Sequence, residues 1–421
     1  MVAGAPELTG SPASADVESV QRGRAWAIVA SLAVTETVTW GILYYGFPVI
    51  LAPMEAELGW SRSAATGAFS IALVTQGVVA VAVGRWLDRH NPRWLLTAGS
   101  AAAALGALAW SAVESLVAFY VLWALLGVVM ATVLYEAAFT VVAKWFDRSR
   151  VRALTFVTLA AGFASTIFLP LHDHLIATYG WRRALVILAI ALAAICVPLH
   201  AVVLRAPPGI SGPGHRARRG LAVREVLALP AFPAVTVAFV ASSFVASALA
   251  VHQVALLAES GHTTAFAAGA TGALGAMQVP GRLLFAPVRR WLGTAAATGA
   301  VFASFVVGVG ILAVGTGTAT VITFVTVYGM ARGMTTLLRA SLIGDLYGAA
   351  DYGAIAGVLA AAGTAATALG PLVVAAVHDR TGGYDVARWA LVAIAGVAFG
   401  ASTRIGVSRR ATPRATAHPG R

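Results

Sequence analysis

The chain has 421 residues, of which 59% are apolar and only 11% charged. A soluble domain carries about 25% charged residues, so an ordinary cytosolic protein is excluded. The net charge of +12 is dispersed between apolar blocks instead of forming one stripe, which excludes a nucleic-acid partner. A single cysteine, Cys196, excludes a disulfide framework and a thiolate metal cluster.

Arg outnumbers Lys 28 to 1 and Ala is abundant, a composition pointing to a high-GC bacterium and hence to a bacterial cell membrane. Residues 1–25 are polar and show no signal-peptide pattern. The first apolar run, 26–50, carries Glu36 among Thr35, Thr37, Trp40 and Tyr44. At 1.5 Å per helical residue Glu36 lies about 18 Å from Arg24, near the bilayer centre. Runs at 64–86 and 94–112 flank the turn Gly84–Arg93, which reads G-x3-D-R-x3-R through Gly84, Asp88, Arg89 and Arg93. The run at 117–143 holds Glu136, about 12 Å inside Lys144, and 152–171 and 183–204 complete a first group of six.

The longest connection, 205–231, is rich in Pro, Gly and Arg, including Pro207, Pro208, Pro213, Arg216, Arg218 and Arg219. A second group follows at 232–257, 265–286, 294–314, 319–338, 353–377 and 387–405. His252 lies about 10 Å from Glu259 at the outer boundary, Arg332 about 10 Å inside Arg339, and Arg282 about 10 Å inside Arg289. Runs of this length must cross lipid as helices, since only a helix satisfies its own backbone there. They are too long and too uniformly apolar for barrel strands.

The expected organisation is a cytoplasmic tail (1–25), a six-helix bundle (26–204), a cytoplasmic linker (205–231), a second bundle (232–405) and a tail (406–421). Basic residues set the orientation. With both termini cytoplasmic, 24 Lys and Arg, Arg148 among them, fall inside, and five fall outside: Arg62, Arg182, Arg183, Arg380 and Arg388. Pro170-Leu171 ahead of Tyr179 and Arg183 echoes Pro371-Leu372 ahead of Tyr384 and Arg388, a weak repeat relating the two bundles.

Ionised groups inside a bilayer are costly and usually border water, a partner or a solute. Glu36 and Glu136, carboxyls taken out of water, are candidates to carry protons during turnover. Other features are expected to be structural. His172-Asp173-His174 is read as an outer loop lacking a fourth metal ligand. Trp60 and Trp181 fit an aromatic belt, and Gly269, Gly272 and Gly275 close helix packing. There is no nucleotide-binding loop or nucleophile elbow, so no enzyme and no cofactor are expected, and energy must come from gradients.

The Gly84–Arg93 turn resembles the signature loop of the major facilitator superfamily. That resemblance implies an all-α membrane fold of twelve transmembrane helices in two pseudo-symmetric six-helix bundles, covering 26 to 405. Spans one, four, seven and ten would line a central cavity, and each carries one of the ionisable groups above. The turn would act as a latch on one conformation. Asn91 stands where the family has Gly and is expected to supply the left-handed conformation. Asp88 would pair with Arg89, Arg93 or helix ends, and the absence of an Asp between Arg282 and Arg290 makes any latch one-sided.

Glu57-Leu58-Gly59-Trp60-Ser61-Arg62-Ser63 and Gln278-Val279-Pro280-Gly281-Arg282 look like the monocarboxylate transporter and oxalate/formate antiporter branch. By that resemblance Arg282 would bind a substrate carboxylate, with Gln278 one turn away on the same face. Gln278 stands where the branch has a proton-handling acid, and 353–377 lacks that branch's second cation.

The reading is a monomeric, proton-coupled secondary transporter for a small organic anion. Its site would comprise Arg282, Arg332, Gln278, Trp40, Tyr44 and His252, with Glu36 and Glu136 handling protons. The same residues allow a rival, an efflux carrier for an amphipathic or cationic drug or metabolite. A receptor would need a soluble signalling domain, for which the tails leave no room.

Overall fold

The computed structural model describes residues 12–146, 149–206 and 221–411. Expectations placed on Arg148, on most of the linker (Pro207, Pro208, Pro213, Arg216, Arg218, Arg219) and on the ends of both tails lie outside the described residues.

The predicted spans appear as helices, with breaks that hydropathy alone did not locate. Eleven helical stretches are long and apolar enough to cross a membrane. One of them, Thr264–Val314, turns back at Gly293 (φ 76°, ψ 167°) and supplies both span eight and span nine. This gives the twelve expected spans in an all-α fold. Span one runs Pro12–Thr39, a π turn Trp40–Tyr44, then Gly46–Leu58. Span two is Arg62–Arg89 and span three Pro92–Ser111. Span four breaks at the extended residue Leu134, between Leu116–Val133 and Tyr135–Trp145. Span five is Arg150–Gly162 and Ala164–Tyr179, and span six Trp181–Val203. Spans seven, ten, eleven and twelve are Phe232–Glu259, Thr318–Tyr347, Tyr352–Thr381 and Asp385–Ala411.

Several local expectations are corrected. Asn91 is not left-handed (φ −66°, ψ 121°). It caps span three, its Oδ1 accepting from Arg93 N at 3.1 Å with Pro92 in the first helical turn, as N-cap chemistry favours. His172-Asp173-His174 lies inside the Ala164–Tyr179 helix, not in a loop, and His172 is fully buried. Trp181 is also buried, its Nε1 donating to Glu57 Oε2 at 2.6 Å. Gly269, Gly272 and Gly275 face open space, and the close approach on that helix comes instead at Gly281, against the Met330 carbonyl.

Each half is built from paired helices, with spans two and four, three and six, and one and five packed together, and seven with eleven and twelve. Between halves, span two packs on span eleven, and the start of span five packs on spans eight and ten. The apolar core shows where the halves meet. At the end carrying the linker, one cluster joins both halves, from Ile28, Leu87 and Phe139 to Phe302, Leu338 and Tyr352. Toward the far end it divides into two clusters, one wholly N-terminal around Phe47, Trp110 and Trp123, the other wholly C-terminal around Phe305, Phe324 and Tyr328.

Candidate functional site

A chamber of about 600 Å³ lies between the halves, walled by spans one, two, four, seven, ten and eleven. On spans two and eleven the lining residues nearer the far end, Ser70, Val74, Thr367 and Ala368, are exposed. Those nearer the linker, Gly77 and Ala80, are buried. The chamber is therefore sealed at the linker end and open away from it.

The seal rests on residues that let two helices touch. A Cβ on Gly84 would stand 1.8 Å from the Gly353 carbonyl oxygen, and one on Gly353 would stand 2.2 Å from that of Gly84. Asp88 sits one turn beyond Gly84, on the same face. Its carboxylate accepts from Gly353 N at 2.9 Å and Ala354 N at 2.8 Å, the first amides of span eleven. An anion at a helix N-terminus satisfies donors that lack intrahelical partners and meets the favourable end of the macrodipole.

The cation of Asp88 is Lys144, at 3.3 Å, rather than Arg89 or Arg93; Lys144 Nζ also donates to Leu87 O at 2.6 Å. Arg93 lies over the Trp94 ring instead. The expectation of a one-sided charge cluster is also corrected. At the end of span ten, Asp345 pairs with Arg289 of span eight at 3.1 Å and, across the halves, with Arg150 of span five at 3.8 Å. The two clusters are matched with charge reversed, acid on span two and base on span four in one half, base on span eight and acid on span ten in the other.

Above the seal, Glu136 and Arg339 form an ion pair across the halves, both lining the chamber. The break at Leu134 places Tyr135 and Glu136 in the first turn of a new helix, where an acidic side chain is favoured. Trp40 and Tyr44 line the chamber from the π turn. Their rings meet edge-on at 4.8 Å, and Trp40 lies 5.1 Å from Tyr135. Trp40 Nε1 donates at 3.0 Å to Glu36 Oε2. Glu36 is only 1% exposed and, among the described residues, makes no ion pair. It is one hydrogen bond behind the chamber wall.

Arg332 is the cation in the chamber without a counter-charge. It lines the cavity from span ten, half-buried, and makes no hydrogen bond or ion pair among the described residues. Thr335, Thr336 and Arg339 also line the chamber, at the helical spacings i+3, i+4 and i+7 from Arg332, so they share its face.

The other predicted residues are not among those that line this chamber. Arg282 is buried between spans five and eight, where Nη1 donates to Thr158 O at 2.7 Å and Nε has no partner. Gln278 packs its backbone against Gly333 of span ten and is not part of the chamber lining. His252 has both ring nitrogens engaged, with Tyr384 Oη at 2.9 Å and Pro371 O at 2.9 Å. The structure thus gathers Arg332, Glu136, Trp40 and Tyr44 at one cavity, with Glu36 behind it. It adds Tyr135, Ser242, Ser243, Thr335 and Thr336, which sequence reading passed over as ordinary span residues.

A family model described as the Major Facilitator Superfamily matches residues 29–371. Over 163 residues the sequence is 28% identical to an oxalate:formate antiporter of Oxalobacter formigenes, covering 39% of this chain and 38% of that protein. Over 214 residues it is 25% identical to monocarboxylate transporter 13 of Bos taurus, covering 49% and 50%. The match thus spans half or less of the length of these relatives. The fold is similar to that of a bacterial homologue of the iron transporter ferroportin in an outward-facing state (TM-score 0.75, 14% identity, 90% of this chain and 99% of that one). It is likewise similar to the fucose:proton symporter of E. coli (TM-score 0.71, 16% identity, 89% and 97%). At these identities the likeness is one of fold.

Proposed function

This chain belongs to the major facilitator superfamily, and from that premise we propose that it carries a small organic anion, monocarboxylate-like, by proton-coupled alternating access. The observation that carries the reading is Arg332, a cation facing the chamber with no acid paired to it among the described residues. A half-buried guanidinium without a partner is costly, and a carboxylate solute would supply two acceptors in the geometry its fork matches. Trp40, Tyr44 and Tyr135 offer apolar faces for the rest of the solute. The partial sequence likeness to an oxalate:formate antiporter and a monocarboxylate transporter agrees with this class.

Glu36 is the proposed proton carrier. Among the described residues no cation pairs with it to fix its charge, and it touches the chamber through Trp40, so protonation there and solute occupancy report on each other. Glu136 is proposed in a second role, engaging and releasing Arg339 as the floor closes and opens. The excess of Lys and Arg at the linker end supports a cytoplasmic linker and cytoplasmic termini in a bacterial cell. The chamber as seen then faces outward, and Gly84, Asp88 and the charged residues around them form the latch that keeps the cytoplasmic side shut. We propose that the working unit is the monomer, since each copy contains a whole chamber.

The test is uptake of labelled carboxylates into proteoliposomes under an imposed proton gradient. Uptake should be lost in Arg332→Gln and uncoupled from the gradient in Glu36→Gln. Uptake of lipophilic cations that survives Arg332→Gln and fails in Glu36→Gln would instead establish the efflux reading.

A further inference from the structure

Two histidines that the transport cycle does not use make the same kind of bond in the two halves. His172 of span five is 0% exposed, and its Nε2 lies 3.2 Å from the carbonyl oxygen of Gly41, inside the π turn of span one. His252 of span seven places Nε2 2.9 Å from the carbonyl oxygen of Pro371, inside span eleven. Spans one and five occupy in the N-terminal half the places of spans seven and eleven in the other. The same helix pair is therefore tied twice, with donor and acceptor exchanged. A carbonyl can only accept, so both rings donate from Nε2–H.

The surrounding packing is shaped for these contacts. A Cβ on Gly46 would stand 2.7 Å from the His172 ring, and a Cβ on Gly41 would stand 2.2 Å from Phe168, one turn before His172. In the other half, a Cβ on Gly370, next to Pro371, would stand 2.5 Å from the Phe244 carbonyl oxygen and 2.5 Å from Ser247 Oγ. Each tie ends beside chamber wall. Trp40 precedes Gly41, and Pro371 itself lines the cavity with Thr367 one turn away. The two ties differ in backing. Nδ1 of His252 meets Tyr384 Oη at 2.9 Å, whereas Nδ1 of His172 is buried without a partner.

We infer that His172 and His252 are a matched pair of positioning residues, one fixing the π turn of span one and the other the proline turn of span eleven, each through one N–H donated to a backbone carbonyl. The inference rests on the chamber of the proposed function but not on its solute. It is tested without a solute, by hydrogen exchange of the full chain in lipid nanodiscs. His172→Met keeps side-chain bulk and removes the donor, while His172→Gln keeps an N–H.

One net hydrogen bond corresponds to roughly tenfold in an opening equilibrium. Amides of 41–47 should therefore exchange roughly tenfold faster in the Met variant and near the wild-type rate in the Gln variant. His252→Met and His252→Gln should separate in the same way at the amides of 372–377. Tyr384→Phe should quicken 372–377 and leave 41–47 unchanged. Met and Gln variants that exchange alike would reduce both histidines to packing and overturn the inference. If a Met variant fails to fold, the Tyr384→Phe arm decides, and an unchanged 372–377 segment there overturns it. None of these outcomes bears on which solute is carried.

Discussion

Replacing Asp88 by Ala removes the two carboxylate oxygens that accept from backbone N–H groups at the start of span eleven and strips Lys144 of the carboxylate it pairs with. Hydrogen bonds to a charged group contribute about 1.5–3 kcal/mol each, and removing one partner of a buried ion pair costs about 3–5 kcal/mol. These contributions overlap, and Lys144 keeps its bond to the Leu87 carbonyl, so about 3 kcal/mol is a reasonable net figure for the sealed linker end. At 1.36 kcal/mol per factor of ten this is a shift of roughly 150-fold, enough to bring a 100:1 preference for the sealed state near parity. Spin labels at His90→Cys and Ala350→Cys, both exposed beside the contact, would read it by pulsed dipolar spectroscopy. Cys196 is buried and should not take label. In Asp88→Ala a second, longer distance should appear in a large fraction of molecules, with Asp88→Asn intermediate. Identical distance distributions in Asp88→Ala and the parent would refute the reasoning.

Gly84→Ala inserts a carbon where 1.8 Å separates it from the Gly353 carbonyl oxygen, so the same labels should show the longer distance. Gly299→Ala, where nothing lies within 4 Å, serves as the neutral control. For Glu136 and Arg339, either single Gln variant should lower the midpoint of thermal unfolding more than the double variant does, with a coupling of about 0.5–3 kcal/mol; strict additivity would show that the pair contributes nothing. At the far end, past Leu51, where the membrane-spanning stretch of span one ends, hydrogen bonds from Arg182 and Trp181 hold the Glu57 carboxyl below the ordinary Glu value. A lowered carboxyl stabilises above its ordinary pKa and loses that contribution as pH falls through the lowered value. The stability difference between the parent and Glu57→Gln should thus be constant near neutrality, begin to shrink below the ordinary Glu value of about 4.3, and vanish once pH is below the lowered value; a difference that does not shrink in acid would contradict the assignment.

Much of the fold was legible because lipid leaves the backbone few choices. Apolar runs of sufficient length gave the spans, and the Gly84–Arg93 turn gave Asp88 and Gly84 at the contact between halves. The breaks at Trp40–Tyr44 and Leu134 were not legible, since no Pro or Gly-rich stretch marks Leu134 and a π turn has no composition of its own. Lys144, Arg150, Asp345 and Gly353 were passed over for another reason. Asp88 meets span eleven from 265 residues away, and only the crossing of the two bundles brings the groups together. Asn91 was misread because a cap and a left-handed turn favour the same residue, and Pro92 was the signal that separates them. His-Asp-His reads as a loop because it is polar, yet Gly46 and Gly41 across from His172 make room for a buried ring. The face shared by Arg332, Thr335, Thr336 and Arg339 was there to be read from helical spacing alone.

Equilibrium binding of a labelled carboxylate to the chain in nanodiscs, compared between Arg332→Gln and Arg282→Gln, tests the central claim most directly. Loss of one charge-assisted contact at the chamber should weaken binding by roughly 10- to 150-fold in Arg332→Gln, with a smaller loss in Arg282→Gln, whose guanidinium is engaged by the Thr158 carbonyl. Full affinity retained in Arg332→Gln would contradict the account.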